Sequence, residues 1–223
     1  MAVKPRPRAE KPRNYDGRTR VEQARRRRAH VLELARRAFL THGYGGTTLG
    51  AIAAEAGVSV ETIHKTFGGK SGLVRAIYER GLAGSAPTPA PVRSDTMSAS
   101  EPDPRALMHH WGALTAEVAP LVAPILLLVR AASATDPDLV ALLAEADEQR
   151  LARMTRNAKV LAKRGFLRAG ISLQSARDVM WTCTAPELYE LLVLRRGWTA
   201  RKFGEFVGKT LETVLLPSSG PLR

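Results

Sequence analysis

The sequence predicts an all-α protein, with a three-helix head at its N-terminus and a longer helical body behind it, about nine helices in all. Three observations lead there. Apolar residues recur every three or four positions over most of the chain, the repeat that lines one face of an α-helix. Ser, Thr and Asp stand just before these runs, while Gly closes them and Pro opens them, as helix ends require. Period-two alternation of apolar and polar residues is missing, and so is any repeat of fixed length.

Taken in order, residues 1–24 hold Pro5, Pro7, Pro12 and Gly17 among many Arg and Lys, with almost no large apolar side chains. Such a segment buries too little surface to offset its ordering entropy, so it reads as a disordered basic arm. From Arg25 the pattern changes: Val31, Leu34, Ala35, Ala38 and Phe39 form a helical stripe that Gly43 closes. Leu49 to Ala56 forms a second helix, with Thr48 as N-cap and Gly57 past its end. Ser59 caps a third, on which Val60, Ile63 and Phe67 share a face until Gly68-Gly69 breaks it. A fourth carries Leu73, Val74 and Ile77. Residues 85–103, rich in Pro, Ser and Ala, read as a loop separating a domain at 25–84 from one at 104–223. In that second part, one helix starts at Pro104 or Arg105 and another near Pro120, reaching Ala132. Asp136 caps a long helix that Gly165 stops, Ser172 caps the next, and Thr199 caps a last one ending before Pro217.

Charge narrows the function classes. Of 34 Lys and Arg against 21 Asp and Glu, residues 1–80 hold 17 and 7, so most of the net +13 lies in the first third of the chain. Concentrated positive charge calls for a polyanion, nucleic acid first and an anionic membrane surface second. The lone Cys183 rules out an internal disulfide and any zinc site built on several thiolates, and reads as a small buried apolar residue in a reducing cytosol. The N-terminus lacks the apolar core of a signal peptide. The longest apolar run, Val118 to Val129, is cut by Pro120 and Pro124 and falls short of the ~20 residues a membrane span needs. These features predict a soluble, cytoplasmic protein without a membrane partner.

The most informative stretch is TTLGAIAAEAGVSVETIHKTF, Thr47 to Phe67. Two short helices meet at the turn Ala56-Gly57-Val58-Ser59, where Gly57 supplies a left-handed backbone. Ile52, Ala53, Ala56, Val58 and Ile63 face the junction, and the alanines permit close approach. This is helix-turn-helix geometry over residues 48–67, which presents the second helix to a DNA major groove.

Together with FLTHGYGGTT before it and Lys70 after it, this stretch resembles the tetracycline-repressor (TetR/AcrR) family of transcriptional regulators, from about Arg27 to Glu79. The resemblance implies an all-α homodimer that binds double-stranded operator DNA through its N-terminal head. It also implies a body that dimerises through its last two helices and often encloses a small-molecule effector, most often making the protein a repressor. By the same resemblance, Ser59 to Thr66 is the recognition helix, and Thr48, Thr62, His64 and Lys70 fall on phosphate contacts. Val60, Glu61 and Lys65 fall near base edges; Glu61 either accepts from cytosine or lies outside the contact. Gly50 also falls on the DNA side but has no side chain to offer. His64 stands where the family usually has tyrosine, and Ala51 omits the usual capping acid, so no relative's operator transfers to this chain.

In the body, Met108, Trp111, Thr115, Met154, Met180, Trp181, Cys183 and Tyr189 are candidates to line an effector cavity, a reading carried more by the resemblance than by these side chains. Leu188, Leu191, Leu192 and Val193, with Phe203, Phe206, Val207 and Leu211, form apolar faces on the last two helices. Such faces need a partner, either a second copy or the rest of the same chain. Rival sites fare worse. Gly69-Lys70-Ser71 echoes the end of a phosphate loop but lacks the earlier glycine and the preceding strand. His109 and His110 diverge by ~100° on a helix and cannot share a metal. No catalytic set and no cofactor motif stands out. A sequence-specific regulator is therefore the reading, with a nonspecific architectural nucleic-acid binder as the alternative and an enzyme third.

Overall fold

The computed structural model describes residues 14–218, with side chains from Thr19 onward; residues 1–13 of the expected arm lie outside the described residues. The described residues form ten α-helices and no strand. Four belong to the head: α1 (Asn14–Gly46), α2 (Leu49–Ala56), α3 (Val60–Phe67) and α4 (Lys70–Ala83). The rest are α5 (Ala90–Ser100), α6 (Pro104–Ala132), α7 (Pro137–Lys163), α8 (Leu173–Cys183), α9 (Pro186–Tyr189) and α10 (Ala200–Leu215). A wide π-type turn, Glu190–Arg195, prolongs α9.

Most helix ends follow their caps. The side-chain oxygens of Thr48, Ser59, Asp136, Ser172 and Thr199 each accept a backbone N–H from the first turn of the helix that follows. Three regions depart from the sequence reading. First, α1 begins at Asn14 rather than Arg25, so the last part of the expected arm is helical, and its side chains from Thr19 to Arg28 are exposed. Arg and Glu are good helix formers, and the Glu22–Arg26 pair at one-turn spacing adds support. The kink lies at Gly43, with φ 72° and ψ 172°.

Second, the expected 85–103 loop contains α5. Its prolines, at the cap and just inside the first turn, occupy places where a missing N–H costs nothing. The small Ser94 and Ser98 then let the helix settle, buried, against the body.

Third, α6 runs unbroken through Pro120 and Pro124 for 29 residues, where two helices were expected. Pro124 has no N–H to give the carbonyl of Pro120 one turn back. The Arg36 guanidinium of α1 supplies that bond instead, Nη2 to Pro120 O at 3.1 Å. The continuous helix is long and apolar enough to cross a membrane by length and composition, which corrects the reading of its apolar run as too short. Here it is the central helix of the bundle and packs on α1, α4, α5, α7, α9 and α10.

Two apolar cores result. Phe39, Ile52, Ile63, Leu73 and Ile77 of the head pack with Ile125, Leu126 and Val129 of α6 and Leu139 and Leu142 of α7. The head therefore does not close on itself. The second core gathers Leu107, Met108, Leu161, Met180, Phe203 and Val207. At the α6–α10 crossing the helices touch through glycine: a Cβ on Gly204 would stand 2.4 Å from the carbonyl oxygen of Gly112.

Candidate nucleic-acid interface and internal cavity

The turn between α2 and α3 is built as the sequence demands. Gly57 has φ 64° and its N–H, with that of Val58, closes on carbonyls of α2 at 3.3 and 3.0 Å. Thr47, buried, donates its hydroxyl to Gly43 O at 2.8 Å and so holds the end of α1 against the start of α2. On α3, Ile63 is buried and Phe67 half-buried, whereas Glu61, Thr62, His64, Lys65 and Thr66 are exposed. Val60, also exposed, stands on the solvent side rather than with Ile63. Thr48, Gly50 and Ser59 are exposed as well, and Lys70 is half-exposed.

The structure brings some of these residues together. The Ser59 and Thr62 hydroxyls lie 2.9 Å apart while Ser59 also caps the Thr62 N–H, so Thr62 is oriented before any ligand arrives. His64 packs against Gly69, just before α4. No side chain caps the N-terminus of α4, and Lys70 opens it, giving free backbone donors and a cation at one place.

Lys70 leads to a residue the sequence reading did not single out. Its ammonium sits 4.3 Å from the ring centroid of Tyr44, which stacks on Phe39. The Tyr44 hydroxyl donates to Asp136, the N-cap of α7. Burial first, then this bond and the charges of Asp136 and Asp138, raise the Tyr44 pKa well above the phenol range. Ser71 donates to Asp138 at 2.9 Å, and Arg75 pairs with Glu145 further along α7. The end of the head that carries Tyr44 and the start of α4 is thus tied to α7 at three levels. On the other side, Arg28 lies over the Phe67 ring at 4.6 Å.

A half-open cavity of about 400 Å³ is walled by α4 through α10, within the ~300–1,000 Å³ of small-molecule sites. Of the eight candidates, Trp111, Thr115, Met154, Met180 and Tyr189 line it. Met108, Trp181 and Cys183 do not. Met108 and Cys183 are buried in the second core, where burial raises the pKa of the Cys183 thiol. Trp181 lies under the Arg150 guanidinium, 4.3 Å from it. Each of these helices has more than one buried face, and helical spacing alone does not say which one meets a void.

The wall residues that went unnoticed were partly legible: from Trp111 and Thr115 the same face of α6 continues through Val118, Val122 and Leu126. The polar ones, Arg150 above all, were not. Its partner Asp147 lies one turn back on α7, but the Trp181 carbonyl is brought to it only by the packing of α7 on α8. Burial pushes its pKa down, partly offset by Asp147.

Residues 31–77 match the family model described as bacterial regulatory proteins, tetR family. No curated protein matches the chain. Among solved structures, SmeT with triclosan is 21% identical, with a TM-score of 0.67 over 86% of this chain and 93% of that one. SmeT is described as the repressor of the Stenotrophomonas maltophilia multidrug efflux pump SmeDEF; that structure is also 21% identical, with a TM-score of 0.63 over 86% and 91%. A protein from Saccharomonospora viridis solved with choline is 19% identical, with a TM-score of 0.65 over 86% and 98%. At these identities the structures show a shared fold.

Proposed function

We propose that this chain, whose N-terminal domain is that of the tetR family of bacterial regulatory proteins, is a homodimeric, cytoplasmic transcriptional repressor. It binds double-stranded operator DNA sequence-specifically and leaves it when a small molecule fills the body cavity. The observation that carries the reading is α3: it buries Ile63 against the head and leaves Thr62, His64 and Lys65 in solvent on a basic head. In the proposal, residues 25–84 are the DNA-binding unit and 104–223 the effector-binding and dimerisation unit. The arm and the exposed start of α1 add phosphate contacts that raise affinity without choosing the sequence.

Thr48, Thr62, His64 and Lys70 meet phosphates, and Lys65, Val60 and Glu61 approach base edges. The exposed residues Leu191, Leu194 and Phe206 on the π-type turn and α10 supply the dimer surface. Phe203, Val207 and Leu211 of the expected face are buried within the chain and take no part.

Two features support a ligand-controlled head. Tyr78 and Leu82 of α4 line the cavity, and Lys70 lies at the other end of the same helix. Tyr78 and Lys70 are eight residues apart, about 12 Å at 1.5 Å per residue. The second feature is α7, which lines the cavity at Arg150 and Asn157 and holds Tyr44 through Asp136. A ligand that prefers one arrangement of α4 and α7 shifts the spacing of the two heads away from successive major grooves, about 34 Å apart.

The test is selection of bound duplexes from a random library, followed by competition binding. A regulator yields a selected site preferred by roughly 10³-fold or more over scrambled duplex. A flat preference favours the architectural binder and refutes the proposal.

A further inference from the structure

The cavity's charged groups have one sign. Its wall contains three arginines, Arg150, Arg153 and Arg156, spaced three residues apart on α7, and no Asp, Glu, Lys or His. Two of them are already balanced from outside the cavity: Arg150 by Asp147 at 3.1 Å, and Arg153 by the exposed Asp95. Arg156 is exposed and has no hydrogen-bond or ion-pair partner among the described residues. One uncompensated positive charge thus remains on the wall.

Two buried donors on wall residues find no acceptor: the indole N–H of Trp111, a side chain only 5% exposed, and Nε of Arg150. Orphaned buried donors are costly and call for an acceptor. The remaining wall is mainly apolar, with Val118, Leu126, Met154 and Phe203 around the void.

We propose that this cavity binds a hydrophobic monocarboxylate, its hydrocarbon or aryl body inside and its carboxylate at Arg156. A single unpaired arginine matches one negative charge; a phosphomonoester dianion brings a second charge with no partner. A cation, such as the choline held by the Saccharomonospora protein, is disfavoured by the net positive charge of the arginines, even though the wall's aromatic rings attract it. The proposal rests on the reading of this void as the effector site, but its test does not depend on DNA.

The experiment is isothermal titration of the full chain at neutral pH with three ligands that share one apolar body: decanoate, decanamide and decyltrimethylammonium. Decanoate has about a dozen heavy atoms, in keeping with a void worth about a dozen waters at ~30 Å³ each. It is expected to bind about tenfold more tightly than decanamide, with decyltrimethylammonium weakest. In Arg156→Gln the decanoate and decanamide affinities converge, while thermal unfolding stays nearly unchanged because Arg156 is exposed and makes no hydrogen bond or ion pair among the described residues. Equal or tighter binding of the amide or the ammonium compound overturns the proposal. So does binding of none of the three, or an undiminished preference in Arg156→Gln. Release of DNA by decanoate is measured separately: binding without release leaves the carboxylate site standing and counts against the effector role.

Discussion

Truncating Lys65 to alanine separates recognition from stability. The Lys65 side chain is exposed on α3 and makes no hydrogen bond or ion pair among the described residues. Its loss therefore changes folding stability by less than about 0.5 kcal/mol. A side chain that reads a base edge is worth about 1–3 kcal/mol of discrimination, and a two-fold dimer loses it twice. The expected penalty at the selected site is about 2–6 kcal/mol, or roughly 30-fold to 10⁴-fold in affinity.

Ile63→Ala, two residues away, is the contrasting control. Ile63 is 1% exposed, and emptying its site costs about 2–5 kcal/mol of stability. Competition anisotropy on the selected duplex and urea unfolding of the same preparations give both numbers. If Lys65 instead meets a phosphate, the affinity loss is similar on all sequences, and the salt slope falls by roughly 0.9 per contact removed. Unchanged affinity and unchanged salt slope together refute the placement of α3 on DNA.

Other perturbations test the scaffold. Gly204→Ala places a methyl 2.4 Å from the Gly112 carbonyl and 2.6 Å from the Ala116 Cβ. The gain in helix propensity, about 1 kcal/mol, is outweighed by overpacking of about 1–3 kcal/mol, so a lower urea midpoint is expected, and a higher one contradicts the close crossing. Tyr44→Phe removes the bond to Asp136 and is expected to cost about 1–3 kcal/mol at neutral pH. Because the folded-state pKa of Tyr44 is raised, its contribution is full below about pH 10, where the unfolded phenol titrates, and is lost as pH rises beyond it; the gap between wild type and Tyr44→Phe narrows there. Deleting residues 1–24 is expected to flatten the salt dependence of DNA binding while keeping the preferred site, and an unaltered slope marks the arm as inert.

The helix-turn-helix was legible because its signals are local. A glycine at the left-handed turn, hydroxyl caps and a short apolar stripe each act within a few residues, so Thr48, Gly57, Ser59 and Ile63 declare their roles in the linear chain. The proline-bearing segments misled for the same reason. In the linear sequence proline reads as a break at 120 and as a loop at 85–103, but its cost depends on what surrounds the freed carbonyl and on where in a helix it falls. The bond from Arg36 to Pro120 spans 84 residues, and no window on the sequence contains both ends.

What the sequence by itself determined is most of the helices and their caps, a basic head and a short helix, α3, with one buried side. Those properties follow from backbone conformation and side-chain periodicity, which are set over one or two turns. The tertiary structure alone decided which buried faces meet each other and which meet a void. Met108 and Trp111 lie one turn apart on α6 and both are buried, yet only Trp111 reaches the cavity. It alone also decided that Tyr44 joins Lys70 to α7, and that the cavity keeps one unbalanced arginine. Such facts depend on distances between residues remote in the chain, and these are fixed only when all ten helices pack at once.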